Sequence, residues 1–407
     1  RGELWGHLFT LLQCERWASG SSPVGIADLL NAPEGQPFWP TSPVIQLFSV
    51  PLGTVMGHLQ SWNLSLLLLL FLAGLGPALL CRRLGSSLKG AVVAGWMVQL
   101  SPFLLRNMRD SIIEVGAIGI MALCLRSAIA LLQKDSNPRR CWTQWFVWLS
   151  ILAGTSPYFM VYLALGMALL LPWIWHFRRD LWKLAMSGAL IAGLFLTPFL
   201  WTESGAHGRL GPEYAKGGYQ LDPSPLELSS GERVQPGPTP GSPPPESIPS
   251  GVPSPVHESG VKTPGNPLGW TLSVCLLVAV TFKRSRAWAL GAGALLLIGP
   301  GPSLVARATH LPAFVGDGLL SGLLRHLPLL SSLGNSQRLL APITLLIAVS
   351  IGLAIRRRWL PFVATSVLIW VEAQWVLGGF HLPQTPVLPR PSSFDEVDGS
   401  LVVFPSG

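Results

Sequence analysis

Leu64-Ser-Leu-Leu-Leu-Leu-Leu-Phe-Leu-Ala-Gly-Leu-Gly-Pro-Ala-Leu-Leu80 decides the fold class of this chain. It has no ionisable side chain, and it approaches the roughly 20 residues that an α-helix needs to cross ~30 Å of hydrocarbon. Composition says which solvent the run was built for. Of 407 residues only 12% are charged and 49% are hydrophobic, with a mean hydropathy of +0.45, a combination rare in a soluble domain of this size. The bilayer is therefore the solvent, and the expected fold is an all-α, polytopic membrane helix bundle.

Working outward from that run, nine more apolar segments follow, at 88–105, 112–132, 143–156, 158–176, 184–201, 268–282, 287–300, 338–355 and 359–378. About ten spans are thus expected. Gly154-Thr-Ser-Pro157 interrupts the pattern and predicts a two-helix hairpin over 143–176. Upstream, residues 1–62 lack an uninterrupted span and read as a large first external loop with interfacial helices, in which Asn31–Pro40 is too rich in Pro and Gly for a regular helix. The remaining organisation is N-terminal transmembrane helices over 63–201, a Pro-rich external loop over 202–267, and C-terminal transmembrane helices over 268–378 with an external segment at 301–337. The tail 379–407 is expected to open a further external domain. Segment 222–267 holds 13 of the 37 prolines, which predicts an extended chain without a core.

The distribution of charge orients this layout, because cytoplasmic loops collect Lys and Arg. Sixteen of the 28 basic residues, among them Arg82, Arg83, Arg139, Arg140 and Arg356 to Arg358, fall on one side with only Asp135 and Asp180. That side carries +14 and the other −6, so the net charge of +8 reports topology and excludes nucleic-acid binding. With the basic side inside, the first loop, 202–267, 301–337 and the tail lie outside. An external start in turn implies a helix before Arg1. The five cysteines are scattered without a CxxC pair, so neither a disulfide framework nor a thiolate metal site is expected.

Two acidic constellations stand on the outer side. Glu3 and His7 are four residues apart, so on a helix both project to one face, where a carboxylate and an imidazole can take the proton of a hydroxyl. The competing explanation is an interfacial helix with its polar side in water and Leu4, Leu8 and Leu11 on lipid or protein. Asp110 and Glu114 repeat the spacing just after Arg106 and Arg109. Ionisable groups at membrane depth are costly and mark functional sites, yet Arg106 and Asp110 also make a self-satisfied ion pair in the same register. Arg338 opens a span from the outer side, suited to a lipid phosphate or to snorkelling. Glu372 lies near the outer end of the last span, its direction open. The histidines show no zinc-ligand spacing.

In these residues the chain resembles the multi-pass C-type (GT-C) glycosyltransferases, in particular a bacterial branch related to lipid-linked sugar transferases. The likeness rests on Gly2-Glu-Leu-Trp-Gly-His7, Asp28-Leu-Leu-Asn-Ala-Pro-Glu-Gly-Gln-Pro37, Leu75-Gly76 and Ser101-Pro-Phe103. It continues in Leu327-Pro-Leu-Leu-Ser-Ser-Leu-Gly-Asn-Ser-Gln-Arg338 and Asp398-Gly-Ser-Leu-Val-Val-Phe-Pro405. The resemblance implies sugar transfer from a polyprenyl-phosphate donor on the outer face of a plasma (inner) membrane. It also implies an acidic residue that acts as catalytic base or metal contact in the first external loop at Glu3, where the family more often carries Asp, and a second acidic position at Asp110 or Glu114. His7, Arg106, Arg109 and Arg338 become substrate-binding candidates, the arginines or a divalent metal ion meeting the charge of the departing lipid phosphate. Two alternatives stay open: a non-catalytic GT-C-like membrane protein in cell-envelope polysaccharide assembly, and a transporter, which calls for broken helices and polar groups at the bilayer midplane.

Overall fold

The computed structural model describes residues 2–27, 36–37, 40, 42–109, 112–133, 137–174, 181–195, 197–198, 270–298, 339–355 and 359–378. The Pro-rich loop, the 301–337 segment, the tail, Asp110 and Arg338 lie outside the described residues. The described chain is all-α apart from one short antiparallel pairing, β1 (Ile26–Ala27) with β2 (Gln36–Pro37).

Two helices precede the apolar runs, α1 (Gly2–Ala18) and α2 (Pro43–Met56). The runs themselves fall in α3 (His58–Arg83), α4 (Leu88–Gln99) with α5 (Pro102–Arg109), a 3₁₀ turn (Ile113–Gly116) continuing into α6 (Ala117–Leu132), α7 (Pro138–Thr155), α8 (Pro157–Ile174) and α9 (Leu181–Phe195). The last four are α10 (Trp270–Val280), α11 (Arg286–Ile298), α12 (Leu340–Ala354) and α13 (Trp359–Gly378). Among the described residues two helices are long and apolar enough to cross a membrane, α3 and the continuous Ile113–Leu132. A third is added if α4 and α5, bent by 44° where they meet, make one span. The run at 88–105 is therefore not one straight helix. Ser101 precedes Pro102, and a residue before proline is pushed out of the helical region.

Local chemistry explains where the helices stop. Gly57 has φ +89°, a conformation that only glycine adopts without strain, and it separates α2 from α3. Ser87 caps α4 by accepting from Gly90 N, and Asn137 caps α7 by accepting from Arg140 N, with Pro138 at the first helical position. Ser156 is extended ahead of Pro157, which gives the break expected between α7 and α8.

The core gathers around α12, whose residues Leu340 to Leu353 are all buried, as suits a helix that is apolar all round. It packs on α4, α10 and α11 and touches α3. Glycines set the closest approaches. A Cβ added at Gly119 of α6 would overlap the Leu72 carbonyl of α3, and one at Gly90 of α4 would overlap the Gly352 carbonyl of α12. Backbone against backbone is how helices associate where lipid removes the hydrophobic drive between them. Ser86 donates to the Gly352 carbonyl and Ser87 to that of Ile355 at 3.1 Å, so the α3–α4 turn is tied to the end of α12.

Glu372 has a structural role. Its Oε2 accepts from the backbone N of Thr271 at 3.3 Å, while Thr271 Oγ1 donates to the Leu368 carbonyl at 3.4 Å. The carboxylate of α13 thus caps the start of α10, where unpaired N–H groups favour negative charge.

Candidate functional site

The first loop is a folded element seated on α3. Within α1, Leu11 is fully buried and Gln13 Nε2 donates to Ser22 Oγ at 3.2 Å and to the Ile26 carbonyl at 3.0 Å. Trp17 Nε1 reaches the same carbonyl at 2.7 Å, so the chain folds back at 19–26 onto its own helix. Near the other end of α1, His7 stacks on Trp62 of α3, with ring centroids 4.5 Å apart and planes at 24°. Glu3 belongs to the first turn of α1, so Glu3 and His7 do share α-helical register, although the Glu3 side chain lies outside the described residues. Trp62 is fully buried and its Nε1 has no hydrogen-bond partner among the described residues. An N–H left so in an apolar surrounding costs about 1–3 kcal/mol.

The structure forms a carboxylate–imidazole couple elsewhere, between Glu15 of α1 and His58 at the start of α3, with Oε2 and Nε2 3.0 Å apart. His58 Nδ1 is buried without a partner among the described residues, its edge close to Gly53 of α2, where a Cβ would stand 2.7 Å away. Glu15 and His58 were not singled out in the sequence, because 43 positions separate them and no local spacing announces the pair. Between these contacts, burial pushes the Cys14 thiol up to about 11, which favours its protonated form.

The second constellation does not have its expected register. The chain at Ile112, with φ −78° and ψ 85°, has left the helix, and Glu114 stands in the 3₁₀ turn that follows. No α-helix runs through Ile112, so Glu114 does not continue the register of α5, and Asp110 itself lies outside the described residues. Arg106 is exposed on α5, and Arg109 ends that helix with its side chain outside the described residues. What the turn does touch is α3: a Cβ at Gly116 would strike Leu69 and Met108. Trp62 and Leu69 are seven residues apart, which puts them on one face of α3 about 10 Å apart along its axis. The His7 contact and the Glu114 turn are thereby brought to neighbouring positions on one helix.

Among the described residues no three His, Cys, Asp or Glu side chains come together. No family model matches the chain, and no curated protein and no solved structure is found similar to it.

Proposed function

We propose that this chain is an integral-membrane glycosyltransferase with about ten spans and a GT-C-like layout. It moves a sugar from a polyprenyl-phosphate donor to an acceptor at the outer face. The observation that carries this proposal is the seating of two acid-bearing segments on the N-terminal half of α3. That half bears α1, with Glu3, His7 and Glu15, near its start and the Glu114 turn beside Leu69, close to the helix middle. Arg82 and Arg83 stand in the last turn at the opposite end, which by the positive-inside rule makes the acidic end the outer one. A carboxylate there takes the proton of the acceptor hydroxyl while the lipid phosphate leaves toward Arg106, Arg109 and Arg338.

The test is transfer from a lipid-linked sugar donor by the full-length protein in which Glu3, Asp110, Glu114 and Glu15 are replaced singly by Ala. At least one of the four is expected to lose activity by about 10²-fold or more, the usual contribution of a general base. Full activity in all four removes the catalytic assignment and leaves the non-catalytic member of a polysaccharide assembly.

A further inference from the structure

α2 is inside out for a helix in water. Its face toward the protein holds Gln46, Ser49 and Gly53, all buried, beside Ile45. Its other face holds Leu47, 76% exposed, Phe48, and Val55, 83% exposed. No residue of Pro43–Met56 is charged. A surface helix in water turns its polar side chains outward and its apolar ones to the core. The reversed order is what hydrocarbon selects, because a polar group there needs a partner inside the protein. For the serines those partners are present: Ser61 Oγ donates to the Ser49 carbonyl, and the Ser49 and Ser65 hydroxyls are hydrogen-bonded at 2.6 Å. The exposed hydroxyl of Thr54 turns back to donate to the Pro51 carbonyl of its own helix at 2.8 Å.

We infer that α2 is immersed in the bilayer, its outward face against the acyl chains of the leaflet opposite Arg82 and Arg83. α2 folds back along α3 about Gly57, since Ser49 and Ser65, eight residues to either side of that glycine, are in contact. Pro43 lies six residues before Ser49, so the start of α2 reaches about 9 Å past that contact, beside the apolar run of α3. Ser42, just ahead of it, is buried and donates to the Thr155 carbonyl at 2.7 Å. The chain thus arrives at that depth covered by the end of α7, as non-helical backbone in hydrocarbon must be. The face of α3 that carries α2 continues beyond it: Leu68 and Leu75, seven and fourteen residues after Ser61, are exposed, with Leu64, Leu67 and Phe71 next to them. These belong to a helix long and apolar enough to span, so the two exposed surfaces share one solvent. Acyl chains suit the outward face of α2 better than a second copy does. Membrane helices associate through small residues that let backbones approach, and α2 spends Ser49 and Gly53 on its contacts with α3. Outward it offers Leu, Phe and Val. This inference needs α3 as a span and no transfer chemistry, so it stands or falls apart from the transferase proposal. It turns one interfacial helix of the first loop into an immersed one.

The experiment uses the full chain in phosphatidylglycerol vesicles, with one nitroxide at a time on Leu47→Cys, Phe48→Cys, Val55→Cys, Leu67→Cys or Ser19→Cys. The background is Cys14→Ala, because the other four native cysteines are buried. All five labelled positions are exposed, so the packing is left intact. Relaxation by oxygen, which concentrates in hydrocarbon, is compared with relaxation by a water-soluble nickel chelate. Labels at Leu47 and Phe48 should resemble the span control Leu67, with nickel collisions about tenfold below those at Ser19, the ratio that about 1.4 kcal/mol of exclusion gives. The label at Val55, eight residues or about 12 Å nearer the Gly57 turn, should fall between the two controls. The inference is overturned if nickel reaches Leu47 and Phe48 as freely as Ser19, since α2 then faces water, or if Val55 proves deeper than Leu47. It is overturned equally if both agents are kept from Leu47 and Phe48 while oxygen reaches Leu67, since protein then covers α2. Spectral broadening that disappears on dilution with unlabelled chains would identify that cover as a second copy.

Discussion

Replacing Gly119 by Ala should destabilise the bundle even though alanine is the better helix former. Propensity alone favours Ala over Gly by about 1 kcal/mol in a helix interior. Against that, the new methyl would run into the Leu72 carbonyl and the Ala73 nitrogen of α3, backbone atoms with no rotamer to escape into. α6 has to back away by about 1 Å, and a gap of 0.5–1 Å forfeits roughly a quarter to a half of the dispersion energy of each contact along the seam. Overpacking costs about 1–3 kcal/mol, and a backbone clash belongs at the upper end, so the net loss is about 2 kcal/mol. At about 2–4 °C per kcal/mol the melting temperature should drop by about 4–8 °C. Cys81 and Cys124 are fully buried, so a thiol-reactive fluorophore added during a thermal ramp reports the loss of this packing. Gly166→Ala in α8 is the matched control, since a Cβ there meets nothing within 4 Å. It should hold or gain stability. Should Gly119→Ala melt at or above the wild type, or should both variants fall alike, the close approach of α3 and α6 is not what holds them.

Two further outcomes are expected. Because the folded state raises the Cys14 thiol from its ordinary 9 to about 11, the folded chain holds that proton more tightly than the unfolded one. The resulting stability is complete below pH 9 and is lost as the pH rises through 11. Melting temperatures should fall over that interval, less steeply in Cys14→Ala; identical slopes would show that Cys14 is not buried. At Trp62, Phe keeps most of the ring against His7 and removes an N–H without a described partner. It should lie within about 1 kcal/mol of the wild type, whereas Ala should cost about 3–5 kcal/mol. Equal losses in the two variants would mean that the indole N–H is hydrogen-bonded after all.

The apolar runs were legible because hydrophobicity over ten or more residues needs no tertiary information, and each of the ten segments does contain a helix. Their edges were less so. α3 begins at His58, six residues before its apolar run, because Ser61 and Ser65 are buried by a partner helix. Ser61 Oγ donates to the Ser49 carbonyl at 2.5 Å and the Ser49 and Ser65 hydroxyls stand 2.6 Å apart. Hydropathy counts those serines as polar and cannot see that α2 satisfies them. Pro102 did signal the bend in the run at 88–105, but an unbroken apolar count outweighed it. The Asp110–Glu114 register assumed one continuous helix, and Ile112 ends that continuity with no warning in its side chain. Glu15 and His58 meet only because α1 folds onto the beginning of α3, a contact without a trace in local sequence.

The cap that Glu372 places on Thr271 also constrains how the protein is made. The two residues are 101 positions apart, and synthesis proceeds at about 5–20 residues per second. α10 therefore leaves the ribosome roughly 5–20 s before its capping carboxylate exists. During that wait its first N–H groups are unsatisfied, a state that hydrocarbon penalises heavily. The start of α10 has to stay with water, the insertion machinery or earlier helices until α13 arrives, so the C-terminal bundle is completed late and as a unit.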